Sequence, residues 1–136
     1  MKKSYSIVLI LAIAAIFSSP AQPQTTGTGL IMGAHWDDGT NVAGTVIVGQ
    51  MNATGPDTIL ATRTLSSGWA STTLSLSTSS LYDVTLVGTN GTQLVKFPFS
   101  AAMINPANLQ RAAMNLVFRK TDSSLKSAQI SVSMAF

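Results

Sequence analysis

Residues 28–91 read TGLIMGAHWDDGTNVAGTVIVGQMNATGPDTILATRTLSSGWASTTLSLSTSSLYDVTLVGTNG. Short runs of Val, Ile, Leu, Thr and Ser are cut by Asp38-Gly39, Gly55-Pro56, Ser67-Gly68 and Asn90-Gly91. Such pairs turn a chain, because Gly and Asn accept positive φ and Pro fixes its own φ. Turns recurring about every 8–12 residues between β-type runs predict an all-β sandwich or barrel. The spacing predicts strands over Thr28–Trp36, Val42–Met51, Thr58–Leu65, Trp69–Leu76, Leu81–Gly88 and Thr92–Phe99. Side chains alternate across a strand. Val46 and Val48 therefore face opposite to Ile47. Leu74 and Leu76 oppose Ser71, Thr73 and Ser75. Tyr82, Val84 and Leu86 oppose Asp83 and Thr85. Val95, Phe97 and Phe99 turn inward with Lys96 outward, and Ile59 shares a face with Leu65, opposite Thr62 and Thr64.

The same style continues to the C-terminus. Ala112–Lys120 sets Met114, Leu116 and Phe118 against Asn115, Val117 and Arg119. Ser127–Phe136 sets Ile130, Val132, Met134 and Phe136 against Gln129, Ser131 and Ser133. These two runs predict a hairpin with one buried and one wet face. The Ser100–Asn108 connection is irregular, with a helical turn expected over Ala101–Ile104. No internal repeat is visible.

Toward the N-terminus the pattern changes. Lys2 and Lys3 are followed by an uncharged apolar run, Ile7 to Phe17, and then by Ser19-Pro20-Ala21. A positive start, a short apolar core and small residues at a cleavage point make a secretory signal. A membrane span needs about 20 apolar residues. No Cys exists to carry a lipid anchor. The expected organisation is a signal peptide over 1–21, a flexible leader over 22–29 and one β-sandwich domain over 30–136. The Met-Lys-Lys start is of bacterial type, so Asn52-Ala53-Thr54 and Asn90-Gly91-Thr92 read as turns, not glycosylation sites.

Composition sets further limits. The whole chain carries +3, with a sequence pI near 9.6. Two of its eight cations are Lys2 and Lys3, so the exported part holds six against five acids. Nucleic-acid binding needs clustered Lys and Arg, and none is expected. With 46% hydrophobic and only 10% charged residues, the surface relies on Ser, Thr, Asn and Gln. The absence of Cys removes disulfides, thiolate metal sites and a Cys nucleophile.

Residues 29–91 resemble the carboxypeptidase regulatory-like, or transthyretin-like, β-sandwich modules. The resemblance rests on Gly29-Leu30-Ile31 leading to Asp38-Gly39-Thr40, then on the strand Val42-Ala43-Gly44-Thr45-Val46-Ile47-Val48. Leu65-Ser66-Ser67-Gly68-Trp69 is similar to that family's turn into an aromatic. Leu81-Tyr82-Asp83-Val84-Thr85-Leu86 followed by Asn90-Gly91 is similar to its later strand and turn. The chain departs from the pattern in lacking an Asp before Gly68, in its long Asn52–Pro56 loop and in the tail after Phe99. The resemblance implies a Greek-key sandwich of about seven strands, and with the C-terminal runs the expected fold is an all-β Greek-key sandwich of about seven to eight antiparallel strands. It also implies a non-catalytic spacer or recognition module, with no catalytic residue to carry over and with Trp69 packed into the sandwich.

His35, Asp37 and Asp38 form the one compact set of acid-base or metal-binding groups, with Trp36 between them. A metal site needs three or four ligands and acid-base chemistry needs a pocket. The chain has a single His, and Asp38-Gly39 is ordinary turn chemistry. No Gly-x-Ser-x-Gly elbow and no glycine-rich phosphate loop with a Lys occurs. No catalytic residue, metal or cofactor is therefore expected. His35, Trp36, Asp37 and Asp38 remain as candidate ligand contacts. The expected role is an exported, non-catalytic recognition or structural module whose partners are proteins or glycans of the cell envelope. A subunit joined to others through its C-terminal strand is the alternative. A small outer-membrane barrel fits less well, since barrels need aromatic girdles and longer strands.

Overall fold

The computed structural model describes residues 25–101 and 111–133. Eight strands follow in order: β1 (Thr25–Trp36), β2 (Gly44–Gln50), β3 (Thr58–Thr64), β4 (Trp69–Ser77), β5 (Leu81–Gly88), β6 (Gln93–Ser100), β7 (Arg111–Phe118) and β8 (Leu125–Ser133). Among the described residues there is no α-helix, and no helix is long and apolar enough to cross a membrane. The expected signal over 1–21, leader residues 22–24, most of the irregular connection (102–110) and the terminal Met134 and Phe136 lie outside the described residues.

The strands form two four-stranded sheets. Sheet A has the order β8-β7-β1-β4, and sheet B the order β3-β2-β5-β6. Three of the six neighbouring pairs (β1–β7, β1–β4 and β2–β5) are non-consecutive, as in an interleaved Greek-key sandwich and unlike a meander. The interior follows from the alternation. Leu30, Met32 and Ala34 of β1, Leu76 of β4 and Ala112, Met114, Leu116 and Phe118 of β7 face Val46 and Val48 of β2, Tyr82, Val84 and Leu86 of β5 and Phe99 of β6 in one apolar core. Leu74, Val95 and Phe97 pack against it half-buried. Ile47, on the opposite side of β2 from Val46 and Val48, is also half-buried.

Three details differ from the sequence expectations. Not every pair is antiparallel: β1 runs parallel to β7, from Gly29↔Arg111 to Trp36↔Phe118. The two strands lie far apart in sequence, so no hairpin dictates their direction. The parallel register sets Leu30, Met32 and Ala34 beside Ala112, Met114 and Leu116 on the inner face. Strand β1 also begins at Thr25, within the expected leader, and Thr25–Gly29 pair with Ser77–Thr73 of β4. In β3, Ile59 does not share the side of Leu65. The register slips between Val48 and Gly49, whose partners are Ala61 and Ile59, so Leu60 bulges. Ile59 is 63% exposed while Ala61 and Leu65 are buried. The expected sandwich itself is observed: among the described residues the two sheets stay open, with β8, β4, β3 and β6 as edges.

Candidate functional site on the outer face of sheet A

The four expected contact residues diverge. His35 and Trp36 are consecutive on β1 and leave it on opposite faces. Trp36 packs edge-to-face on Phe118, with ring centroids 6.2 Å apart, and half-buried it closes one end of the sandwich. There it lines a cavity of about 240 Å³ with Val42, Asn90, Leu94 and Ser123. Asp37 accepts from the Lys120 backbone amide at 3.3 Å. Asp38 accepts from the Lys120 ammonium at 2.8 Å and from the Thr40 amide and hydroxyl at 2.9 and 2.6 Å. The Lys120 bond, then the two from Thr40, hold the Asp38 carboxyl well below the usual carboxylate range. Both acids thus serve a turn. Gly39 sits there at φ 87°, where a side chain would be strained. Among the described residues, no three His, Cys, Asp or Glu side chains group to hold a metal.

His35 instead belongs to a different surface. Its Nδ1 lies 2.9 Å from Asn115 Oδ1 on β7, and its ring meets Trp69 of β4 edge-on, with centroids 5.0 Å apart. The sequence expectation placed Trp69 in the core. The structure places it on the outer face of sheet A, 42% exposed. Gly33 is its cross-strand partner. A Cβ on Gly33 would overlap three ring carbons of Trp69, two of them at 2.7 Å. The indole therefore lies over the bare glycine, a known way for an aromatic to cover a gap in a sheet. One side of the ring contacts the backbone and the rest faces solvent.

The turn before β4 fixes where the indole starts. Ser66 and Trp69 exchange backbone hydrogen bonds at 2.8 and 2.9 Å. Between them Ser67 and Gly68 both have positive φ, 50° and 79°. Two such residues in a two-residue loop make the mirror-image turn that suits the twist of β-hairpins. The Ala34 amide donates to Gly68 O at 2.8 Å, pinning the turn to β1. A Cβ on Gly68 would meet Asn41 Oδ1 at 2.8 Å and His35 Nε2 at 3.0 Å, so Gly is required there twice over.

Around Trp69 the outer face is neutral and polar. Asn115 and Gln129 continue its row across β7 and β8. Ser71, Ile31, Ala113 and Ser131 form the next row, with Ile31 38% exposed. A groove of about 470 Å³ opens beside Trp69 where β3 and β4 meet. Arg63 lines that groove, and the ion-paired charges lie elsewhere. On the outer face of sheet B, Lys96 pairs with Asp57 and lies 3.5 Å from Asp83, whose side chain is 3% exposed. Burial, then the neighbouring Asp57, pushes the Asp83 carboxyl up. The bond from Lys96 holds Asp57 down, and Asp57 in turn raises Lys96.

Comparison with known proteins places no relative beside this surface. No protein-family model matches the chain, and no curated protein matches it.

Proposed function

We propose that the protein is an exported, non-catalytic recognition module of the cell envelope, and that the outer face of sheet A is its contact surface. One observation carries the reading: Trp69 is fixed by Gly33 and His35, yet 42% exposed. A large rigid aromatic offers contact area at small entropic cost, and such residues dominate binding surfaces. The signal-like N-terminus and the resemblance to regulatory-like modules agree with this. The surroundings of His35 also agree, since its nearest partners are an amide and an indole. The test is retention of the purified protein on immobilised envelope from its own source. Trp69→Ala is expected to weaken retention at least about tenfold, roughly 1.4 kcal/mol, in a variant that melts at a somewhat lower temperature but still in one cooperative transition. Equal retention of the variant would remove this face from consideration.

A second reading, assembly through the C-terminal strand, has its own support. Strand β8 is an edge of sheet A, regular from Ser127 to Ser133, with Val132 39% exposed. Exposed edges accept further strands. Gln129→Lys with Ser131→Lys places charge beside that edge on the outer face. On this reading the double variant stays folded but loses self-association in sedimentation.

A further inference from the structure

We propose that the groove at the β3–β4 corner takes an acidic saccharide, with a sugar ring on the open side of Trp69 and its carboxylate on Arg63. This rests on the recognition reading above and gives that surface a ligand class.

The groove is lined by Ile31, Arg63, Thr64, Ser66, Trp69 and Ser71, among others. At about 470 Å³ it lies in the range of small-molecule sites, about 300–1,000 Å³. Its parts are of three kinds. The indole offers a flat apolar surface with a negative π-face, which suits the polarised C–H face of a pyranose. Thr64, Ser66 and Ser71 supply hydroxyls, each able to donate and accept, as sugar hydroxyls require. Arg63 supplies positive charge. Its Nη1 donates to Thr62 O at 2.9 Å and its Nη2 to Thr72 Oγ1 at 3.2 Å, so the guanidinium is held across the corner between the two sheets. A guanidinium has more N–H donors than these two bonds use, in a fork that matches a carboxylate.

Charge complementarity selects the acidic sugar. No carboxylate lines the groove. Among the described residues the acids in ion pairs are Asp57 and Asp83 with Lys96, and Asp38 with Lys120, and none pairs with Arg63. The groove is thus electropositive at one end and neutral along its rim. An acidic peptide would satisfy Arg63, but it would leave the hydroxyl rim and the flat ring without matched partners.

Trp36→Phe makes Trp69 the sole indole, because the chain has two. In that background, indole emission is followed during titration with oligogalacturonate, with a neutral galactan oligomer of equal length, and with hexa-aspartate. Saturable binding of oligogalacturonate is expected, at least about tenfold tighter than either control. Arg63→Gln is expected to reduce oligogalacturonate to the level of the neutral oligomer, and Arg63→Lys to retain part of the difference. In the two-Trp protein, Trp69→Ala is expected to abolish retention on immobilised oligogalacturonate. Thermal melts of each variant separate lost binding from lost folding. Equal binding of the neutral oligomer, equal binding of hexa-aspartate, or an unaffected and folded Arg63→Gln overturns the proposal. Retention on envelope through Trp69 with no affinity for oligogalacturonate overturns the acidic-saccharide assignment and leaves the recognition reading standing. No retention on envelope together with no affinity for oligogalacturonate overturns both.

Discussion

At the scale of residues, Gly33 and Trp69 act as one unit. The glycine gives the indole a floor, and the indole shields a backbone that has no side chain of its own. Gly33→Ala is therefore expected to displace the ring, since its new methyl would lie inside van der Waals contact of the indole. Overpacking of this kind costs about 1–3 kcal/mol. Thermal denaturation measures the loss, and the emission of Trp69 in a Trp36→Phe background reports the displaced ring. The direction of Trp69 was in fact legible in the sequence. Ser71, Thr73 and Ser75 were placed outward by alternation, and Trp69 has the same parity. The expectation that it entered the core came from the family resemblance, and in β4 the period of two prevailed. What the sequence could not reveal was the opening for the ring. That depends on Gly33 pairing with Trp69, a contact between residues on strands separated by two others in the chain. Nor did adjacency make a site of His35, Trp36, Asp37 and Asp38. Alternation sends His35 and Trp36 to opposite faces, and the turn gives both acids to Lys120.

At the scale of elements, strand positions were the most legible feature, because each rests on local alternation and a local turn. The expected Leu81–Gly88 strand coincides with β5, and the other seven differ from the observed strands only at their ends. The bulge in β3 was not legible, since slipping past Leu60 depends on how β3 meets β2. The segment between β2 and β3 is held down by another pairing absent from any local pattern. Asp57 ends that segment and reaches Lys96 on β6, over the buried Asp83. The acids here respond to pH in opposite senses. Asp57, Asp38 and Asp122 are held low by Lys96, by Lys120 and by Ser124 respectively. Their contributions to stability are present above the unfolded value of about 3.9 and are lost as pH falls below it. Asp83 is raised by burial, so the folded state binds its proton more tightly than the unfolded chain does. Its ionised form opposes folding at neutral pH, and that opposition fades as pH falls through its folded value. Asp83→Asn keeps the shape and removes the charge, while Lys96 keeps Asp57. The variant is expected to be more stable at pH 7 by about 1 kcal/mol. The gain should shrink toward zero near pH 4, as urea titrations at several pH values would reveal. A variant less stable at pH 7 would mean that the Lys96–Asp83 attraction outweighs the burial of the charge.

At the scale of the whole molecule, the order of the strands in each sheet is the part a single sequence carries least, because it is decided by contacts between distant segments. Strand β1 is central in sheet A, with β4 on one side and β7 on the other. Removing residues 1–21 leaves every described strand intact, and that shortened chain is expected to melt in a single cooperative transition. Removing residues 1–36 takes away the shared partner of β4 and β7, and no cooperative transition is expected by circular dichroism. The central place of β1 also imposes an order in time. Among the described strands it is the first to be synthesised, and its antiparallel partner β4 follows early, but its parallel partner begins only at Arg111. At about 5–20 residues per second, synthesis from Trp36 to Phe118 lasts roughly 4–16 s. Throughout that interval Leu30, Met32 and Ala34 have no β7 beside them. The growing chain must therefore spend seconds with one side of its longest described strand unmatched, a window in which a chaperone, or another copy of the same chain, could bind it first.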